Sequence, residues 1–356
     1  MTLKVLIMAA GTGGHVFPGL AVARCLQDNN AQVRWLGTPQ GLENRLVPRA
    51  GIELTAIDIG GVRGKGLRGW LWLPVRVAKA MVAVWRAFRK DKPDVVISMG
   101  GYVAGPGGLV AKAMGIPLVL HEQNAIAGLT NRWLAPLATK IFTGFPDVLK
   151  RGQFVGNPVR ADIAALELPQ MRWQERTGPI RVLIIGGSLG ARILAERVPQ
   201  ALAKLPRGAS LKVTHQAGRV IDEAQANYAA VTLPDGVDVE LVEFIDDMAQ
   251  AWAQADVAIT RAGALTVAEL AAAGVGALLV PFAMAVDDHQ SANAIFLSDA
   301  GAAWLLHEHE LSAERLSQWF DELDREALLQ RAMRARSLAH TDAAEQVAQA
   351  CWGVAA

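Results

Sequence analysis

The chain is poor in cysteine, in tyrosine and in net charge. Its two cysteines, Cys25 and Cys351, stand far apart in helix-like surroundings. They offer neither a disulfide framework nor the paired spacing of a structural metal site, and they fit a reducing cytoplasm. A net charge of +1, from 35 Lys and Arg against 34 Asp and Glu, excludes a globally basic nucleic-acid binder and leaves room for a local basic patch. No apolar run reaches the ~18 residues of a membrane-spanning helix. The first residues lack the basic region, apolar stretch and small-residue cleavage pattern of a secretory signal, so none is expected. Metal-ligand patterns are missing too: there is no Asp-x-Asp and no His-x-x-x-His. The neighbours Asp246-Asp247 and Asp287-Asp288 diverge on regular backbone. Ser188 sits in Gly-Gly-Ser-Leu-Gly and not in the Gly-x-Ser-x-Gly of a hydrolase nucleophile. Neither a metal nor a cofactor is expected.

What is present is apolar bulk and glycine in particular places. With 52% hydrophobic residues over 356 positions, large buried cores are expected, and the length predicts two domains. An apolar run, Leu3 to Ala10, reads as a buried strand, and Leu20 to Leu26 reads as a helix. Between them lies Gly11-Thr12-Gly13-Gly14-His15-Val16-Phe17-Pro18. Strand, glycine turn and helix together present bare backbone N–H groups to an anion. His15 adds a group that can titrate near neutral pH.

The same theme returns at Val182 to Ala191, and alternating strands and helices on both sides predict two parallel, doubly wound sheets. In the first half the strands expected are Gln32–Leu36, Ile52–Ile59, Asp94–Ser98 and Pro117–His121, with helices at 42–50, 74–90, 109–114 and 130–137. In the second half the strands are Lys212–His215, Asp238–Leu241, Val257–Thr260 and Ala277–Pro281. Beyond Leu311 the chain reads helical. Ligands in such sheets sit outside the carboxyl ends of the strands. A dinucleotide reading would need an acidic residue about 20 residues beyond the glycines. Arg34–Thr38 and Leu211–His215 hold none, so a dehydrogenase is disfavoured.

Several further stretches carry chemistry. In Thr260 to Glu269 small residues lead into a helix whose free N–H groups favour a diphosphate or a sugar oxygen. Glu269 suits two ribose hydroxyls, or equally a helix dipole. Gln290 and Asn293 suit sugar hydroxyls, and Asp288 next to them suits an ordinary helix cap. His121-Glu122-Gln123-Asn124 is a dense polar cluster directly after an apolar strand. Arg160 closes the first half, either as a surface arginine or as a guanidinium reaching a base or phosphate. Between Trp70 and Lys90, Val77, Met81, Val84 and Phe88 share one helical face, whereas Arg76, Lys79, Arg86, Arg89 and Lys90 gather on the other. Trp70, Leu71, Trp72 and Leu73 precede the helix, and Val82 lies among its cations. Apolar surface ringed by cations suits an anionic membrane; the alternative is a helix covering the sheet with a solvated basic face.

In their order along the chain these motifs resemble the MurG family of bacterial peptidoglycan glycosyltransferases. The resemblance rests on Gly11 to Leu20, Gly100-Gly101-Tyr102 to Gly108, His121 to Asn124, Gly156 to Arg160, Gly186 to Ala191, Phe244 to Met248, Arg261 to Glu269 and Asp288-His289-Gln290, and spans nearly the whole chain. It implies an α/β protein of GT-B fold, two Rossmann-like doubly wound parallel-sheet domains facing a central cleft. Residues 1–160 with 341–356 would bind the acceptor and the membrane, and residues 161–340 the donor. The implied reaction moves N-acetylglucosamine, with inversion and without metal, from UDP-N-acetylglucosamine to the 4-hydroxyl of the muramyl unit of an undecaprenyl-pyrophosphoryl pentapeptide. A UDP-N-acetylglucosamine 2-epimerase or a non-catalytic sugar-nucleotide sensor of the same fold is the alternative.

The resemblance also assigns residues. His15, or failing it Glu122, would be the base. Ile245 would meet uracil, Arg160 the nucleotide, Ser188 the diphosphate and Glu269 the ribose. Ala264, Leu265, Thr266, Val267, Ala268 and Gln290 would hold the donor with them, and Thr12, Gly13, Gly14 and Asn124 would approach its sugar. Gly11, His15, Gly101, Tyr102, Gly105, His121 and Asn131 would hold the acceptor. Trp70, Trp72, Arg76, Lys79, Val82, Trp85, Arg86 and Arg89 would meet the anionic cytoplasmic face of the inner membrane. No nucleic-acid partner is implied. Leu189 and Ala268 depart from positions that are often polar in the family, which backbone contacts there would tolerate.

Overall fold

The computed structural model describes residues 2–59, 73–187 and 189–355. The Gly60–Gly69 loop, Trp70, Trp72 and Ser188 of the sequence analysis lie outside them. The chain divides into two compact units, Met1–Arg160 with Thr341–Ala356, and Ala161–His340.

The first unit is a parallel sheet in the order β3-β2-β1-β4-β5-β6-β7. Its strands are β1 (Lys4–Met8), β2 (Gln32–Gly37), β3 (Glu53–Ala56), β4 (Val95–Ser98), β5 (Leu118–Glu122), β6 (Lys140–Thr143) and β7 (Gln153–Phe154). The central strands are buried on both faces, which is why they read as unbroken apolar runs and not as alternating ones. One face is covered by helices Gly13–Asp28 and Ala343–Ala355, so the C-terminal helix packs into the first unit through Val347, Ala348 and Cys351. The other face is covered by helices Leu73–Lys90 and Ala104–Ala113, with Val84, Phe88 and Val110 in its core.

Helix Gly13–Asp28 begins inside the glycine run and not after it, with Thr12 extended at its N-cap. It lies close to the sheet because Gly19 faces Trp35; a Cβ there would come within 2.5 Å of the indole. That indole donates to Ala9 O at 2.8 Å, fixing the end of β1.

The second unit repeats the plan in the order β10-β9-β8-β11-β12-β13. Its strands are β8 (Ile180–Ile185), β9 (Leu211–Gln216), β10 (Val237–Val242), β11 (Val257–Thr260), β12 (Gly276–Leu279) and β13 (Ala303–Leu305). Three helices follow in the C-terminal stretch: Ala313–Asp321, Arg325–Ser337 and Ala343–Ala355. Strands β6, β7 and β13 have no counterpart in the sequence reading. β7 and β13 have only two and three residues, too short for a periodicity to register, and β6, at four, is no shorter than strands the sequence did reveal.

Strand order reverses between β1 and β4 in the first unit and between β8 and β11 in the second. These are the switch points at which doubly wound sheets open a crevice. The glycine loops after β1 and β4 flank one, and the Gly186–Gly190 turn and the Arg261–Gly263 segment flank the other.

Candidate active site

In the first unit the two glycine loops are packed backbone on backbone. Gly101 has φ +85°, and a Cβ on it would fall 2.8 Å from Ala10 O. Gly100 has φ +97°, and its Cβ would meet the His15 ring, 2.9 Å from Cδ2 and 3.0 Å from Nε2. Only glycine combines that backbone with that space. His15 therefore stands half-buried in the first turn of its helix, its imidazole laid against the second loop. Thr12 and Gly14 beside it are exposed, and Tyr102 is half exposed.

Two buried carboxylates tie down backbone here, Glu43 at the first glycine loop and Glu122 in the 122–131 loop. Glu43, fully buried at the start of helix Glu43–Arg49, accepts from Gly11 N at 3.1 Å and from Thr38 N and Oγ1 at 2.8 Å each. Nothing in its sequence context separates it from an ordinary acidic residue in a first helical turn, so the sequence reading missed it. Glu43→Ala orphans three donors. It is expected to lower stability by about 2–3 kcal/mol, read as a shift in the chemical denaturation midpoint. A shift below about 0.5 kcal/mol would show that the loop is held by something else.

Glu122 is the second. It is 2% exposed; one oxygen accepts from Asn124 N at 3.0 Å and Asn124 Nδ2 at 3.4 Å, and the other from Asn131 Nδ2 at 2.9 Å and Gly128 N at 3.1 Å. These bonds shape the 122–131 loop, which is a structural role for the residue that stood as second choice for the base. Asn131, also buried, accepts from Ser98 Oγ at 3.0 Å and donates to His121 O at 3.2 Å, so it supports the site and does not line it.

His121 moves inward as well. It is fully buried, its Nε2 lies 2.9 Å from Gly156 O, and its Nδ1 lies 3.1 Å from Gln123 Nε2. The neutral tautomer with hydrogen on Nε2 satisfies both partners. Burial pushes its pKa down to about 4, against a smaller opposing effect of the Gly156 hydrogen bond. It stays neutral at physiological pH and ties β5 to the start of the 156–160 segment. Half-buried Arg160 ends that segment, and Gly105 lies half-buried in the first turn of helix Ala104–Ala113.

In the second unit the turn after β8 leads into helix Arg192–Leu202, whose N-cap, Ala191, offers no side-chain cap. Leu194 N and Ala195 N in its first turn donate to Ala191 O, and the helix N-terminus favours an anion. Helix Ala264–Ala273 begins in the same way, at Gly263. On it Leu265, Thr266, Ala268 and Glu269 are half-buried, whereas Ala264 and Val267 are buried. Glu269 Oε2 accepts from the buried Trp252 indole at 3.3 Å. Ile245 is half-buried between exposed Phe244 and Asp246.

Gln290 Oε1 accepts from Phe282 N at 2.9 Å, which closes the 282–290 loop. Asp288 does not cap its helix through the backbone: it is left-handed, φ 51°, and its carboxylate accepts from Ser291 Oγ at 2.7 Å. Asn293 is fully buried and donates to Ala262 O at 3.1 Å, so it reads no sugar. Arg261 bridges Val280 O, Pro281 O and Glu308 at 2.9–3.3 Å. Among the described residues no three His, Cys, Asp or Glu side chains gather as a metal site.

Two doubly wound parallel sheets with glycine turns at both switch points define the GT-B class of glycosyltransferases. Residues 5–143 match the glycosyltransferase family 28 N-terminal domain, and residues 181–347 match its C-terminal domain. A UDP-N-acetylglucosamine--N-acetylmuramyl-(pentapeptide) pyrophosphoryl-undecaprenol N-acetylglucosamine transferase of Dechloromonas aromatica is 52% identical over 356 residues, covering 100% of both chains. One from Burkholderia thailandensis is 52% identical over 352 residues, covering 99% of this chain and 96% of its own. The crystal structure of Acinetobacter baumannii MurG superposes with a TM-score of 0.86 at 42% identity, covering 99% of each chain. The chain belongs to the MurG family.

Proposed function

We infer that the chain transfers N-acetylglucosamine from UDP-N-acetylglucosamine to the 4-hydroxyl of the muramyl unit of undecaprenyl-pyrophosphoryl-muramyl pentapeptide, turning lipid I into lipid II. The observation that carries this is identity of about half, over essentially the full length, to proteins named for that transfer. Movement of labelled sugar from the nucleotide to a lipid-linked acceptor tests it. The epimerase alternative needs no lipid, and the sensor alternative leaves the built support around His15 without a use.

In this reading His15 takes the proton as the acceptor hydroxyl attacks the anomeric carbon and UDP leaves from the opposite side. The exposed N–H groups of the first glycine loop, with Gly101 and Tyr102, take the acceptor's diphosphate. UDP lies on the second unit: Ile245 at uracil through its backbone, Glu269 at the ribose, and the Gly186–Gly190 turn with Ser188 at the diphosphate. Arg160 reaches the nucleotide. Gln290, Ala264 and Leu265 take the sugar. The helix N-termini stabilise the charge that builds on the leaving diphosphate.

The enzyme meets its lipid substrate as a peripheral protein on an anionic, cytoplasm-facing membrane. No helix among the described residues is long and apolar enough to cross one. Helix Leu73–Lys90 turns Val84 and Phe88 inward and exposes Val75, Val82 and Trp85 with Lys79, Arg86 and Arg89; Arg76 is half-buried. The Arg89 guanidinium lies 5.2 Å from the Trp85 ring. On the same face of the sheet, helix Leu129–Leu134 exposes Leu129 and Trp133, the latter 76% accessible, beside Arg132. Neither helix contains an acidic residue. Trp85→Ser and Trp133→Ser are each expected to lower co-sedimentation with anionic vesicles several-fold, with a smaller loss on neutral ones. Undiminished sedimentation of the double variant would reject this face.

A further inference from the structure

The turn after β8 is fastened to a second segment by one side chain. Gln216, the last residue of β9, is 5% exposed. Its Oε1 accepts from Gly187 N at 3.0 Å, and its Nε2 donates to Gly187 O at 3.2 Å and to Glu243 O at 2.9 Å. The oxygen and both amide hydrogens are therefore used. Around it Gly190 N donates to Gly187 O at 2.9 Å, Ala217 N to Val242 O at 2.9 Å and Gly218 N to Glu243 O at 3.1 Å. The packing leaves no slack: a Cβ on Gly218 would lie 2.5 Å from Gly187 O. Glu243 opens the segment that carries Phe244 and Ile245.

We propose that Gln216 is a positioning residue for the nucleotide donor, fixing the distance between the diphosphate turn and the segment that meets the base. This rests on the assignment of UDP to these two segments. A primary amide is required, because one group must donate twice and accept once in a fixed plane. Glutamate keeps the shape and the acceptor but loses both donors, and protonation restores only one of them. Methionine fills the space and makes none of the bonds.

The test is steady-state kinetics of the full chain, with UDP-N-acetylglucosamine varied at saturating lipid-linked acceptor between pH 5.5 and 8.5. Each variant is first matched to the parent by circular dichroism; one that fails to fold is replaced by Gln216→Asn. Gln216→Glu and Gln216→Met are each expected to raise KM about tenfold at pH 8.5, with kcat within about twofold. In the Glu variant KM falls back toward the parent's as pH drops, while the Met variant shows no recovery. A folded Gln216→Met with the parent's KM overturns the proposal. So does a raised KM in the Glu variant alone, which would be charge repulsion of the diphosphate. Gly190→Ala separates this from the reading beneath it: at φ +76° its Cβ falls on Ala217 O and spoils the turn. A parent-like KM in Gly190→Ala removes UDP from this turn altogether. A raised KM there with a normal one in Gln216→Met removes only Gln216.

Discussion

Replacing His15 with alanine lowers kcat by about 10²–10⁴-fold, the usual contribution of a general base, and leaves UDP affinity within about threefold. The expectation rests on position. His15 is carried on the first turn of a helix whose start is fixed by Glu43 through Gly11, and its ring rests on Gly100. The carboxylates near it are occupied: Glu43 holds Thr38 and Gly11, and Glu122 accepts four hydrogen bonds from Asn124, Gly128 and Asn131. This position is why His15 is the base we propose. Single-turnover transfer alongside UDP calorimetry separates chemistry from binding, and unchanged turnover removes His15 as the base. Gly100→Ala, which places a methyl group against the same ring, is expected to lower kcat in the same direction.

Glu269→Ala raises KM for UDP-N-acetylglucosamine by about 10²-fold or more. Each hydrogen bond from a ribose hydroxyl to a carboxylate contributes about 1.5–3 kcal/mol, and two are lost together. A helix-dipole role does not account for this carboxylate, because that effect fades beyond the first turn and Glu269 is the sixth residue of its helix. The Trp252 indole fixes one of its oxygens. Competition by UDP and by 2′-deoxy-UDP gives the specific check. The parent discriminates between them and the variant does not; equal discrimination by both proteins would place the ribose elsewhere.

Much of the architecture was legible in the chain. Strand β11 fell at its expected bounds, and most other long strands within two residues of theirs, since strands buried on both faces write themselves as apolar runs. Glycine runs hid two helix starts: helices Gly13–Asp28 and Ala104–Ala113 both begin within them, where low propensity is overridden by the packing of Gly19 on Trp35 and of Gly108 on Leu134. At the site the sequence indicated where chemistry collects but not which polar residue faces outward. His121, Glu122 and Asn131 are as polar as His15, and all three are buried in its support. Glu43, Ser98 and Gln216 left no motif at all, because each makes hydrogen bonds to residues about 30 positions away, Gly11, Asn131, and Gly187 with Glu243. The exposure of Trp133 was likewise invisible, since a tryptophan in a short amphipathic stretch reads as core.

The central claim is a transfer between two substrates. The direct measurement incubates the purified chain with UDP-N-acetylglucosamine labelled in the sugar and with undecaprenyl-pyrophosphoryl-muramyl pentapeptide in anionic vesicles. Label in the lipid fraction and released UDP are then counted. The account predicts label entering the lipid one-for-one with UDP release, in the β configuration. UDP released without lipid label, or label recovered only as an epimerised nucleotide sugar, would contradict it.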